Sequence, residues 1–115
     1  MVSCKHCSVE LTDSNWPKSL KNRKMYRCSP CNINYRKEHR RKLKRKAVAY
    51  LGGKCEHCDG VFHQAAFDFH HVNEAEKLTE ITTLIGNRGW KQVENELQKC
   101  ILLCSNCHRI HHYGE

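Results

Sequence analysis

Residues 99–112 read KCILLCSNCHRIHH, and this run carries a strand, a metal knuckle and a helix in immediate succession. Ile101, Leu102 and Leu103 are consecutive apolar residues, the mark of a short buried strand. Cys104 and Cys107 form a CxxC turn, which presents two thiolates to one tetrahedral ion. His108 to Tyr113 continue as a short helix, in which His108 and His112 are four residues apart and share a face. Cys100, outside the CxxC pattern, reads as a small buried apolar residue.

Moving outward, the knuckle needs a second pair of sulfurs, and Cys55 and Cys58 supply it. The chain of 115 residues has nine cysteines, eight of them in four CxxC pairs. Cys4, Cys7, Cys28 and Cys31 make one four-cysteine set, and Cys55, Cys58, Cys104 and Cys107 the other. All ligand positions of two structural Zn²⁺ ions are then filled, with His6 and His57, inside the knuckles, as the alternative ligands in place of a cysteine. The N-terminal stretch has no apolar signal region. CxxC pairs in a reducing cytoplasm read as zinc ligands rather than disulfides, so a cytoplasmic protein is expected. A chain this short buries a limited core, which is a further reason to expect metal staples.

The expected architecture is small, α+β and zinc-stapled. Residues 1–32 form an N-terminal zinc module, with a loop or short hairpin between its knuckles. Residues 33–53 continue a helix that starts at Ser29-Pro30, runs through a basic stretch and stops at Gly52-Gly53. Residues 54–115 form the second unit. In it, a short strand pair is expected around Val61 to His71, then a polar loop over Asn73 to Lys77. A short helix is expected over Thr79 to Ile85, and another over Trp90 to Lys99 with Trp90, Val93 and Leu97 on one face.

Most of the nine histidines fall in or beside two segments, FDFHH at 67–71 and HRIHH at 108–112. Adjacent His70 and His71 on a strand point to opposite faces, so one can join a metal held by His108 and His112. Closure of the second zinc site would clamp the two segments together and give a rigid base for that metal. Asp68 either orients a histidine or faces solvent.

The formal net charge is +8, and the run from Arg36 to Lys46 holds eight Lys/Arg against one acid. Nucleic acid is the first partner to consider for such a chain. Arg36, Lys37, Arg40, Arg41, Lys44 and Arg45 are expected to grip a phosphate backbone, a contact that positions rather than specifies. Arg109 is a further phosphate contact or a solvated helix charge. No segment is apolar enough to span a membrane, and the basic run lacks the apolar face of a membrane-surface helix.

Taken in order, CxxC, FDFHH and KCILLCSNCHRIHH resemble the HNH endonucleases with a four-cysteine structural zinc that are common in phages and bacteria. The resemblance covers residues 54–113. It implies a treble-clef-like ββα-metal unit that hydrolyses DNA phosphodiesters and leaves 5′-phosphate and 3′-hydroxyl ends. His71 matches the family's general base. His70, His108 and His112 match ligands of one catalytic divalent cation, Mg²⁺, Mn²⁺ or Zn²⁺. The family's middle asparagine falls on Lys99 here, a departure from the name-giving pattern, and Asn106 is the substitute within the last knuckle. The N-terminal cysteine unit is similar to zinc modules that precede such nucleases and suggests DNA docking. The resemblance implies a phage-infected or bacterial cell as the setting. A homodimer is one way for such a chain to cut both strands. Two rivals compete: a zinc-ribbon DNA-binding protein without activity, and a protein-interaction module of the RING or LIM sort, which the basic charge disfavours.

Overall fold

The computed structural model describes residues 1–114. Its elements in chain order are α1 (Lys18–Asn22), α2 (Ser29–Tyr50), β1 (Phe67–His71), α3 (Ile81–Asn87), α4 (Trp90–Leu97), β2 (Cys100–Cys104) and α5 (Ser105–His112). Short 3₁₀ turns lie at Gln64–Ala66 and Glu74–Glu76. The fold is a small α+β arrangement with one two-stranded sheet. Contacts gather into two compact units, Met1–His39 and a second that begins at Arg40, so α2 contributes residues to both. No described helix is long and apolar enough to cross a membrane.

The first unit is built on its cysteines. Cys4, Cys28 and Leu11 are buried together, with Trp16, Tyr26 and Cys31 packed against them. A single antiparallel bridge, Ser3 to Glu10, flanks its first knuckle, and the connection between the knuckles is a loop that holds α1. The Trp16 indole donates to the Met25 carbonyl at 2.9 Å, which ties the far side of that loop.

Both CxxC turns that open a unit share one backbone geometry. The amide of Cys4 donates to Val9 and that of Cys55 to Gly60, while Ser8 and Asp59 donate back to Cys4 and Cys55. Ser8 and Asp59 both take a left-handed conformation, φ 68° and 60°, at the point where the chain folds back. The similarity between CKHC and CEHC is thus a local one, carried by the turn.

In the second unit β1 and β2 pair antiparallel, Phe67 opposite Cys104 and His71 opposite Cys100. The strand pair expected within 61–71 does not form. Gln64–Ala66 is a helical turn there, and the partner of β1 comes from the far end of the unit. The aromatic signal of that stretch has another cause: the Phe62 ring packs on Phe67, 5.9 Å between centroids. One core joins Phe67, Leu102, Leu103, Val48 and Cys55. A second joins Ile81, Ile85, Val93, Leu97, Ala47 and Cys100, with Trp90 and Phe69 at its edge. Fully burying each large aliphatic side chain contributes about 1.5–3 kcal/mol. Gly52 and Gly53 end α2 with φ of 99° and 75°, and Gly53 donates to the Val48 carbonyl at 2.9 Å. α5 begins where the Cys104 thiol accepts the Cys107 amide at 3.4 Å, so the last knuckle also caps the helix.

Candidate metal centre and its cysteine frame

The sulfurs of Cys4, Cys7, Cys28 and Cys31 lie within 4.8 Å of one another, and so do those of Cys55, Cys58, Cys104 and Cys107. Each set could hold one structural Zn²⁺, and the chemistry fits: four thiols, and backbone N–H groups aimed at individual sulfurs. Cys4 Sγ accepts from the amides of His6 and Cys28, both at 3.4 Å. Burial pushes the Cys4 and Cys55 thiols up, but the backbone donors outweigh it and hold both at about 6. Cys31 and Cys107 are pushed up to about 12, first by hydrogen bonding with the sulfurs of Cys28 and Cys104 and then by burial. Cys100 stands apart from both sets, buried in the α3–α4 core, and burial pushes its thiol up to about 12.

The second frame places two histidine-bearing elements side by side. On β1, Asp68 and His70 face α5, whereas Phe69 and His71 face the opposite way, as strand alternation requires. On α5, His108 and His112 occupy one face. The three imidazoles of His70, His108 and His112 bring their ring nitrogens within 4.8 Å of one another. His108 Nε2 and His112 Nε2 are 2.9 Å apart. Burial, and then the neighbouring imidazoles, push His70 below the usual histidine value, which keeps it neutral and able to ligate near pH 7. His111, adjacent in sequence, also packs on His70, with 4.5 Å between centroids.

His71 lies elsewhere. Its side chain is 3% exposed, and its Nε2 stands 2.8 Å from Glu96 Oε2. Glu96, on α4 and also 3% exposed, accepts from the Leu78 amide at 3.1 Å and from Lys99 Nζ at 3.0 Å. Burial pushes the Glu96 carboxyl up, but Lys99, His71 and the Leu78 N–H outweigh it and hold it at about 2. An ionised carboxylate only accepts, so Nε2 of His71 carries the proton and the lone pair of neutral His71 sits on Nδ1. Lys99 Nζ also donates to the Glu76 carbonyl at 3.0 Å, which pins the loop after β1 to the end of α4.

Asn106 is exposed in the first turn of α5 and makes no hydrogen bond to these histidines among the described residues. Arg109 is exposed on α5. Arg36, Lys37, Arg40, Arg41 and Arg45 are exposed along α2, and Lys44 is half-buried there.

Glu96 is the residue that sequence reasoning missed. The signal was present: Glu96 adjoins Leu97 and lies three residues after Val93, on the edge of an apolar stripe where a charge needs a buried partner. The packing of His111 on His70 was not read either, because helical spacing from His108 singles out His112. Comparison with protein-family models, curated proteins and solved structures finds no significant match for this chain.

Proposed function

We propose that this protein is a metal-dependent endonuclease of the HNH type that hydrolyses DNA phosphodiesters. The observation that carries the reading is the convergence of His70, His108 and His112 beside a four-cysteine frame. Three imidazoles on two braced elements suit a catalytic rather than a structural metal, because three protein ligands leave a position for substrate. β1, β2 and α5 lie together as two strands and a helix, with α3 and α4 inserted between the strands, an arrangement that supports the reading of a ββα-metal unit. A divalent cation held there would polarise the scissile phosphate and stabilise the departing 3′-oxygen.

The chain's own groups supply the rest. Asp68 orients His108 by accepting from its Nδ1, which directs Nε2 toward the other two rings. His71 is the proton acceptor of this reading and acts through Nδ1, since Glu96 holds Nε2. The α2 cations draw the polyanion to the site. The setting this reading implies is the cytoplasm of a bacterial or phage-infected cell, with a homodimer as the way to cut both strands.

A second reading is favoured by one observation, the near-complete burial of His71 with Nε2 spent on Glu96. In it the protein is a zinc-ribbon DNA-binding factor, and the His71–Glu96 pair is purely structural. Incubating supercoiled plasmid with wild type, His112→Ala and His71→Ala, with Mg²⁺, Mn²⁺ or no added metal, separates the two. Metal-dependent nicking that both variants lose, with two zincs retained per chain, supports the nuclease. If wild type binds plasmid but leaves it intact with either metal, the DNA-binding reading replaces it.

A further inference from the structure

A continuous groove leads away from the histidine triad within the second unit. It starts as a cavity of about 220 Å³ lined by His108, Asp68, Lys44 and Thr82. It continues as a cavity of about 480 Å³ that shares Lys44 and Thr82 and adds Arg40, Arg41, Gln64 and Gly86. The larger cavity falls in the size range of small-molecule sites. Two acids lie along the smaller one, and both are engaged: Asp68 with His108, and Glu80 with Lys77. Glu80 is matched by Lys77, so Arg40 and Lys44 stand against the single carboxylate of Asp68, and the groove keeps a net positive charge.

Two details mark this groove as more than a charged surface. The Arg40 guanidinium lies flat on Gly86, where an added Cβ would stand 3.1 Å from Nε and 3.2 Å from Nη2. Absence of a side chain at 86 thus lets a cation of α2 settle against α3 at a fixed place. On the groove wall, Gln64 Oε1 is buried and has no hydrogen-bond partner. A buried acceptor left unpaired is costly and calls for a donor. A phosphate offers none, whereas a nucleobase edge does.

We propose that the groove docks one unstacked nucleotide of the DNA strand next to the phosphate at the triad, with its phosphate on Arg40 and Lys44 and its base edge on Gln64. The assignment of neighbouring phosphate rests on the nuclease reading, but the docking itself does not. A base that enters the cavity while its backbone lies on α2 has left the duplex stack, so the ligand is single-stranded or locally opened DNA.

The test is binding of a short fluorescein-labelled single-stranded DNA, without added divalent cation, by zinc-loaded wild type and four variants at several salt concentrations. Arg40→Gln removes the clamp, and Gly86→Leu displaces it while keeping its charge and a good helix former. Gln64→Leu removes the acceptor at similar size, and Lys42→Gln makes the same charge change outside the groove. Zinc content and circular dichroism confirm the fold of each. Arg40→Gln and Gly86→Leu are expected to weaken binding about tenfold, with Arg40→Gln lowering the salt slope by about one. Gln64→Leu is expected to weaken it severalfold with the slope unchanged, and Lys42→Gln only about twofold. Single strand is expected to compete better than duplex of the same sequence. The proposal is overturned if Arg40→Gln or Gly86→Leu binds no worse than Lys42→Gln, if Gln64→Leu binds like wild type, or if duplex competes as well as single strand. Because these readouts are binding constants, a chain that fails to cut plasmid would refute the nuclease reading and leave this result standing.

Discussion

His108 Nδ1 lies 3.1 Å from Asp68 Oδ2, a contact that joins α5 to β1. With the Nδ1 proton directed at the carboxylate, Nε2 is left as the ligating nitrogen and the ring is fixed in plane. Asp68→Ala is therefore expected to weaken a third divalent ion, beyond the two cysteine-held zincs, by about 10- to 100-fold. Zn²⁺ or Co²⁺ titration of zinc-loaded protein measures it directly. An unchanged affinity would mean that the contact does not orient a ligand.

The two cysteine sets make a prediction with a definite pH sign. Cys4 and Cys55, at about 6, are largely thiolates at pH 7, whereas Cys31 and Cys107, at about 12, are thiols in the metal-free chain. Zinc binds thiolate, so each site must expel at least the proton of its high thiol. Affinity is expected to rise with pH between 6 and 8, with proton release visible by calorimetry in buffers of different ionisation enthalpy. Cys58→Ser should leave one zinc per chain and destabilise the second unit, while Cys7→Ser should spare the second unit. Zinc counting and thermal melts decide this, and a chain that melts unchanged without zinc would refute a structural role.

Glu96 links stability to acid. Its carboxyl titrates at about 2 in the folded chain against 4.5 in the unfolded one, a difference of about 3 kcal/mol. Because the folded value is depressed, that stability is fully present above pH 4.5 and is lost as pH falls from there toward 2. Glu96→Gln is thus expected to be less stable than wild type by a gap that stays flat from pH 8 to 5 and closes only in stronger acid. Urea unfolding across that range checks it, and a gap that closes already between pH 7 and 5 would refute it.

Much of this arrangement was legible in the sequence because it is written in short-range spacing. The CxxC pairs gave both cysteine sets, and the i, i+4 relation of His108 and His112 with strand alternation at His70-His71 gave the triad. What stayed hidden depends on contacts between distant segments. The partner of β1 is Cys100–Cys104, and nothing local in Val61–His71 reveals that the hairpin is interrupted by α3 and α4. The role of His71 was hidden for the same reason. Alternation says it faces away from His70, but only the approach of α4 supplies Glu96 as its partner.

Lys99 joins α4 to the loop after β1, and its bonds say what it does there. Its ammonium reaches Glu96 Oε1 and the Glu76 carbonyl, both at 3.0 Å, from the base of β2. It therefore neutralises a nearly buried carboxylate and holds the loop that follows His71. Lys99→Met keeps the length of the stem but leaves Glu96 with less compensation, at an expected cost of about 1–3 kcal/mol. The Glu96 carboxyl should then titrate above its present value of about 2, because one of the groups that depress it is gone. The decisive measurement is a double-mutant cycle with Glu96→Gln. Residues in one hydrogen-bond network couple by about 0.5–3 kcal/mol, so the double variant should be more stable than the sum of the single losses predicts. Additive losses would show that Lys99 acts on the Glu76 loop alone and that His71 supplies the relevant partner of Glu96.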